Sequence, residues 1–330
     1  MSLIRLSALA SLGFALSLFV SPVWADELNV YFKTTPGFEH LRPYADPAIL
    51  SLLVTDANGR PLTEGSVGLR LDAPRSGVFF STDFPWVEGT RLQEVQLNLR
   101  QGRANWKYLF PIRGEYRLAV SVSTANGSKA NKEFTFNVPE NEKKWAALAA
   151  FSAGLFCLGL IAGRIFTAAR TQAAIIILAL LSASTAGADG NPAPRDASAV
   201  LEVAPATVGR PTAVRWRLNN AVDPSRVLLS LAIVHLEKGK TVFEVEKIPV
   251  PAEFAMTFQF TDGAEYRLIA VGEQPGSMPI RTEKTISATA LEPSTKAMIP
   301  AFGYFIALIA AGLIVGRWSK RQASWSHPRE

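Results

Sequence analysis

Residues 114–122 read Gly-Glu-Tyr-Arg-Leu-Ala-Val-Ser-Val, and they carry the clearest signal of the fold in the polar part of the chain. Apolar side chains occupy every second position from Tyr116 to Val122, with small or polar residues between them. This alternation predicts a β-strand with one buried face. The same pattern recurs at 67–71 and 95–99. We therefore predict a mainly β structure for this region.

Turn residues separate these apolar runs. Asn58-Gly59 follows the run at 49–55, and Asn126-Gly127 follows residues 114–122. Asn-Gly pairs favour the positive φ angles that tight hairpins need. Repeated short strands over roughly 120 residues predict an immunoglobulin-like β-sandwich for residues 26–144.

A second polar region, residues 189–297, has the same character and is predicted to form a second sandwich. Its candidate strands are Val200–Val203, Ala213–Leu218, Val227–His235, Val242–Ile248, Ala255–Phe260 and Tyr266–Val271.

Apolar segments divide and flank the polar regions. Residues 1–25 fit a signal peptide, with Arg5 before an apolar core and Val23-Trp24-Ala25 before the cleavage point. Residues 145–167 and 298–316 are long enough to cross a bilayer, which takes about 20 residues. Residues 171–188 are shorter, and they fit either a transmembrane helix or an internal signal-like segment.

Two short phrases occur twice in the chain and predict an internal duplication. Residues 159–164 read Gly-Leu-Ile-Ala-Gly-Arg, and residues 312–317 read Gly-Leu-Ile-Val-Gly-Arg. The Gly-Glu-Tyr-Arg-Leu of 114–118 returns as Gly-Ala-Glu-Tyr-Arg-Leu at 263–268. Several matches in the same order are hard to attribute to chance.

The distribution of charge predicts the orientation in the membrane. The chain carries a net charge of +6, yet residues 26–144 hold 15 basic and 14 acidic residues, and residues 189–296 hold 12 and 13. The basic excess therefore flanks the apolar segments. The positive-inside rule places the tail 317–330 in the cytoplasm. We expect a bacterial inner (cytoplasmic) membrane protein with both β-domains on the periplasmic side, either as an intact three-span chain or cut after Ala188.

The phrases 53–62 (Leu-Val-Thr-Asp-Ala-Asn-Gly-Arg-Pro-Leu) and 114–118, with 233–235 and 258–267 in the second half, resemble YtkA-like and FixH-like bacterial extracytoplasmic domains. These domains share an immunoglobulin-like sandwich with the CopC-type copper proteins. The resemblance implies a role in copper handling or in the assembly of membrane redox complexes.

Copper takes Met, Cys and His donors, so residues of these types are the candidate copper ligands. The candidates outside the apolar segments are His40, His235 and Met278. Met256 alternates with phenylalanines, which favours a place in the core. The His- and Met-dense motifs of dedicated copper carriers are absent from the sequence. We therefore expect no cofactor, with copper as the alternative.

The composition argues against catalysis and against nucleic-acid binding. One cysteine and three histidines exclude a disulfide framework and a cysteine-rich zinc site held by this chain alone. The sequence has no Gly-x-Ser-x-Gly, phosphate-loop or His-Glu-x-x-His motif. Neither polar region is basic, so no nucleic-acid partner is expected. We do not expect an enzyme.

Both long apolar segments contain a Gly-x-x-x-Gly motif, formed by Gly159 with Gly163 and by Gly312 with Gly316. Two glycines on one helix face let another backbone approach closely. The partner is either the sister span or a different subunit, and self-association through these faces is a further alternative.

Two functional hypotheses follow from the sequence. The first is a membrane-anchored accessory, scaffold or assembly subunit of a larger membrane protein complex, whose other subunits are its partners. Phe79-Phe80, Phe84-Pro85-Trp86 and Trp106 would then form an aromatic docking patch or lie in the core. The alternative is a periplasmic copper- or small-ligand-binding protein.

Overall fold

The computed structural model describes residues 28–77, 82–124, 127–165, 199–219, 227–291 and 295–325. The predicted signal peptide and segment 171–188 lie outside these residues. The strands and helices are β1 Asn29–Thr35, β2 Ala48–Thr55, β3 Ser66–Asp72, β4 Arg91–Asn98, β5 Arg103–Tyr108, β6 Gly114–Ser123, β7 Lys129–Val138, α1 Glu142–Ile165, β8 Ala199–Val203, β9 Pro211–Leu218, β10 Val227–His235, β11 Lys240–Val250, β12 Glu253–Gln259, β13 Glu265–Glu273, β14 Ile280–Ser287 and α2 Thr295–Trp325.

The strands form two antiparallel sheets of seven strands each, which confirms the mainly β prediction. The first sheet has the order β1-β2-β5-β11-β10-β13-β14, and the second has the order β7-β6-β3-β4-β12-β9-β8. Buried side chains from both sheets belong to one apolar core. We call the two sheets together the β body.

Both halves of the chain contribute strands in the same order. The first half supplies β1-β2-β5 to one sheet and β7-β6-β3-β4 to the other. The second half supplies β8-β9-β12 and β14-β13-β10-β11, which is the same order shifted by seven strands. The three-stranded part of each half continues into the four-stranded part of the other. The sequence analysis did not anticipate this joining of the two polar regions.

One joint lies between β5 and β11. Trp106 is opposite Val245, Lys107 is opposite Glu244, and their neighbours continue the ladder. The ammonium of Lys107 donates to Glu244 at 2.9 Å and to Glu246 at 3.1 Å. These ion pairs are partly exposed, so the backbone pairing and the buried apolar residues beneath it supply most of the stability.

The other joint lies between β4 and β12, where Val95 is opposite Met256 and Gln93 is opposite Phe258. Side chains at both ends of β4 add hydrogen bonds between the two halves of the chain. The amide of Asn98 donates to the carbonyl of Pro249 at 2.9 Å, and the amide of Gln259 donates to the Thr90 hydroxyl at 2.9 Å. Met256 is buried, as its alternation with phenylalanines predicted.

Buried tyrosines occupy matching positions at the start of β6 and β13. The hydroxyl of Tyr116 donates to the carbonyl of Ile112 at 2.6 Å. The hydroxyl of Tyr266 donates to the carbonyl of Asp262, also four residues back, at 3.3 Å. Each bond ties a strand to the corner that precedes it and satisfies a hydroxyl that burial would otherwise penalise. The repeated sequence phrase therefore corresponds to a repeated structural device.

The turn predicted after β2 is confirmed. The turn at Asn58-Gly59 forms, with Gly59 at φ 77° and the Asp56 carboxylate accepting the backbone N–H groups of Asn58 and Arg60. It closes a short antiparallel bridge between Thr55 and Pro61, after which the chain passes to β3 in the other sheet. The turn therefore carries the chain across the core. The predicted hairpin between β6 and β7 does form.

Three strands were not predicted from the sequence, namely β1, β5 and β14. The outer strands β1 and β14 pair on one side only, and β14 has partly buried residues rather than fully buried ones facing inward. An apolar alternation is weak in such strands because one face packs only partly against the core.

The joined sheets predict that neither half is stable alone. Residues 28–141 expressed without the second half would expose the inner edges of β4 and β5, and exposed edges of this kind promote aggregation. We expect this fragment to aggregate alone and to form a soluble one-to-one complex when residues 199–291 are co-expressed, as measured by size-exclusion chromatography with light scattering. A folded monomer of 28–141 alone would contradict the joined architecture.

Candidate functional site

The helices α1 and α2 are the two segments of the described chain that are long and apolar enough to cross a membrane. Their apolar spans are Glu142–Ile165, with a mean hydropathy of 2.0, and Ile299–Ser319, with a mean hydropathy of 2.1. At about 1.5 Å per residue, each exceeds the roughly 30 Å of a bilayer core. The two helices lie against each other in parallel, and we call them the helix pair.

Four glycines form the contact within the helix pair. All four are buried, and a Cβ added to Gly312 would lie 3.0 Å from the Cα of Gly159. A Cβ added to Gly316 would lie 3.2 Å from the Cα of Gly163, and even closer to the carbonyl of Leu160. The backbones therefore touch, as small residues in membrane helices allow. Of the partners that the sequence left open, the sister span occupies this face.

Other contacts extend the interface along the helix pair. Phe151 and Phe305 meet edge to face with ring centroids 5.5 Å apart. The hydroxyl of Tyr304 lies 3.3 Å from that of Ser152. At the end away from the β body, the guanidinium of Arg164 donates to the hydroxyl of Ser319 at 3.2 Å.

The outward faces of the helix pair are apolar and exposed. No described part of the chain covers them, and a lipid bilayer or an apolar partner helix is the kind of surrounding that they fit. These side chains are Leu158, Ile161 and Ile165 on α1, with Ile299, Phe302, Ile306, Ile314 and Trp318 on α2.

His235, a candidate metal ligand, is fully buried at the end of β10. Its Nδ1 accepts the backbone N–H of Lys238 at 3.3 Å, so Nε2 carries the proton in the neutral ring. Nε2 lies 3.3 Å from the Asp262 carboxylate, to which it donates. The ring also packs on Tyr266, with centroids 4.9 Å apart. Both ring nitrogens are thus engaged in structural hydrogen bonds.

A polar cluster surrounds this histidine where loops of the two halves meet. The ammonium of Lys238 pairs with Asp262 and lies 4.0 Å from the ring centre of Tyr44, in cation–π geometry. The Tyr44 hydroxyl bonds that of Thr261 at 2.9 Å. Burial raises the pKa of Tyr44 well above its usual value, so its hydroxyl stays protonated even in alkaline solution. Sequence analysis missed this cluster, because Tyr44 and Thr261 are far apart in the chain.

Of the other two predicted metal ligands, Met278 lies apart from His235 and His40 is exposed. Met278 is 89% exposed in the turn after β13, whereas His235 pairs with Tyr266 at the opposite end of that strand. Seven residues of strand separate these ends, which is about 23 Å. His40 is exposed in a short 3-10 turn, where its ring lies 3.5 Å from Glu39. Among the described residues, no group of three or more His, Cys, Asp or Glu side chains has the arrangement of a metal site.

The described members of the proposed aromatic patch contribute to packing between the halves. Trp106 is buried in the core. Phe84 stacks on Tyr44 with centroids 5.2 Å apart, and the indole N–H of Trp86 donates to the Thr261 carbonyl at 3.4 Å. Phe79-Phe80 lies outside the described residues. The described aromatic side chains thus favour the core alternative over a docking patch.

The polar cluster predicts a stability cost for loss of Asp262. Asp262→Ala leaves the buried Nε2–H of His235 without its acceptor, so we expect the free energy of unfolding to fall by about 1–3 kcal/mol. Lys238→Ala removes the partly exposed partner of Asp262 and a cation–π contact with Tyr44, and it leaves no buried donor without an acceptor, so it should cost less than Asp262→Ala. Chemical denaturation of both variants measures the difference. Equal costs would contradict the assignment of Asp262 as the acceptor for His235.

The glycine contacts predict that a large side chain separates the helices when it is placed on the contacting glycine face, and not when it is placed elsewhere. The reporter is a disulfide formed by Phe151→Cys with Phe305→Cys in a Cys157→Ser background. We expect Gly159→Leu and Gly312→Leu to lower the yield of this disulfide by about tenfold, because overpacking costs about 1–3 kcal/mol. Gly154→Leu and Gly303→Leu are matched controls, since nothing lies within 4 Å of a Cβ at either position. A yield that Gly159→Leu leaves unchanged would contradict the pairing.

Comparisons with known proteins leave the family open. No protein-family model matches the chain, and no curated protein matches it. Among solved structures, a 1.5-MDa bacterial ice-binding adhesin aligns with 80% of this chain at 8% identity and a TM-score of 0.24. A tetra-tandem repeat from the extending region of a large adhesion protein aligns with 79% at 9% identity and a TM-score of 0.22. The chain spans 65% and 50% of their lengths, and at these scores the likeness carries no argument.

Proposed function

We propose that this protein is a membrane-anchored, extracytoplasmic accessory or scaffold subunit of a larger membrane protein complex. The observation that carries the proposal is the helix pair below the β body. Its inner face is closed by four glycines of the same chain, while its outer faces are apolar and uncovered. Such a pair serves as an anchor and leaves its outer surface to lipid or to other subunits.

We propose further that each half is an immunoglobulin-like sandwich and that the chain arose by duplication or fusion. The shared strand order of the two halves supports this. So does the tyrosine that bonds the backbone four residues back at the start of the sixth strand of each half, in the manner of a tyrosine corner. The recurrence of the Gly-x-x-x-Gly motif on both helices is consistent with the same origin.

Chain connectivity supports a membrane topology with both halves on one side. α1 leaves the β body after Val138, and Ala199 in β8 belongs to the same body. If α1 crosses the bilayer, the chain has to return to the original side before Ala199. Arg164 and Arg317 lie toward the ends of the helices away from the β body, and by the positive-inside rule this supports the proposed periplasmic side for the body.

The positions of the candidate ligands favour the accessory role over copper binding. The candidate ligands His235 and Met278 lie at opposite ends of β13, and His235 already uses both ring nitrogens. A membrane redox complex, the class that the YtkA-like and FixH-like resemblance implies, is the partner class that we propose to test first.

Extraction from native membranes in mild detergent tests the proposal. We expect the intact particle to contain the 35.8 kDa chain, less any cleaved signal peptide, together with stoichiometric partner subunits, as resolved by native mass spectrometry. Membranes from cells that lack the chain provide the control for proteins that co-extract without binding. A particle that contains this chain alone would contradict the accessory role. Copper retained in that particle would favour the ligand-binding alternative.

A further inference from the structure

A large open cavity of about 900 Å³ lies at one end of the second sheet. It is formed where four neighbouring strands of the first half end or begin. Asp72 closes β3, Arg91 opens β4, Gly114 opens β6 and Val138 closes β7, and all four residues line the cavity. The cavity therefore belongs to the edge of the β body from which α1 departs.

The lining of this cavity, which we call the arginine cavity, is dominated by guanidinium groups. Three carboxylates accompany five arginines, so the lining carries a net charge of +2. The arginines are Arg70, Arg75, Arg91, Arg113 and Arg117, and the carboxylates are Asp72, Glu115 and Glu140.

The strand register places several of these charges on one face. Asp72 is directly opposite Arg117 on β6 and Arg91 on β4, and directly opposite residues of an antiparallel pair share a face. Arg70, two residues before Asp72, shares that face and donates to its carboxylate at 3.0 Å. One carboxylate is thus flanked by three arginines. The same face also carries Glu94, directly opposite Arg70 and paired with Arg91, so Arg117 is the one of these three arginines without an ion pair among the described side chains.

Only some of these arginines have carboxylate partners. Arg91 pairs with Glu94, and Arg113 pairs with Glu140. Among the described side chains, Arg75 and Arg117 have no ion pair, and both are exposed. Their ten donor N–H groups in total are open to solvent and to a bound anion.

The arginine cavity lies at the level of the membrane surface. Glu140 lines it, and α1 begins at Glu142. Lys144, in the first turn of α1, pairs with Asp83 in the loop between β3 and β4, which places that loop beside the helix start. From Glu142 to Trp145 the helix rises about 4.5 Å. The headgroup layer of one leaflet is about 5–8 Å thick, so the cavity is at headgroup height.

We propose that the arginine cavity binds the phosphate of an anionic phospholipid headgroup, with Arg75 and Arg117 as its principal ligands. Guanidinium groups match phosphate oxygens in bidentate geometry, and they retain their charge at any physiological pH. A zwitterionic headgroup brings a cation into the same positive cavity, so an anionic lipid is preferred. This inference rests on the proposed membrane anchoring.

Full-length protein in nanodiscs of mixed phosphatidylcholine and phosphatidylglycerol tests the proposal. Native mass spectrometry after release counts the lipids that stay bound. We expect the wild-type chain to retain phosphatidylglycerol in preference to phosphatidylcholine. Arg75→Gln with Arg117→Gln should reduce this retention about tenfold, since charge-assisted contacts are lost. Arg117→Lys should have an intermediate effect, because it keeps the charge and loses the bidentate geometry.

Arg267→Gln is the matched control. Arg267 occupies the position of Arg117 in the repeated phrase on β13, but it pairs with Glu283 at 3.1 Å and does not line the arginine cavity. We expect this variant to retain phosphatidylglycerol like the wild type. Equal retention by the wild type and the double variant would overturn the proposal, as would the absence of a preference for phosphatidylglycerol.

Further outcomes distinguish a lipid phosphate from free inorganic phosphate, and failure of this inference from failure of the anchoring proposal. Binding of inorganic phosphate to the lipid-free protein in detergent, without phosphatidylglycerol retention in nanodiscs, would overturn the assignment to a lipid. A chain that does not enter nanodiscs at all would overturn the anchoring proposal and this inference with it. A chain that enters them and shows no lipid preference would overturn this inference alone.

Discussion

The pairing of inner strand edges holds this structure together. An unpaired edge exposes a row of backbone donors and acceptors, and each half of the chain would have such edges at its inner strands. β5 pairs with β11 and β4 pairs with β12, so the inner edges of the two halves satisfy each other. The loop cluster around Tyr44 and Thr261 forms where these joints bring the halves together.

The helix pair is held together by a different physical effect from the β body. Lipid tails are as apolar as the side chains they surround, so association inside a membrane depends on close packing rather than on burial from water. The glycines at 159 and 312 supply that packing. Because the β body fixes where both helices begin, the helices meet without the cost of bringing two separate chains together. The helix pair and the β body therefore support each other.

Sequence patterns predicted the strands and helices better than their partners. Alternation identified β6 and most of the second-half strands, because burial of one face leaves a direct trace in the sequence. The turn after β2 was recognised, but not the change of sheet that it produces, because turn residues do not specify which strand comes next to which. Glycine spacing identified the packing face of each helix and left its partner open. The cavity arginines went unnoticed, since cross-strand register rather than sequence spacing groups them.

The joint between β5 and β11 also has a consequence for biosynthesis. Trp106 pairs with Val245, which is translated about 140 residues later. At 5–20 residues per second, that interval lasts about 7 to 28 s. During this interval the first half has two open sheet edges, at β4 and β5, and its first helix is completed before the strands that close them. A chain of this design therefore depends on a holding factor or on rapid translation, and slow codons between the halves would lengthen the time for which these edges are open.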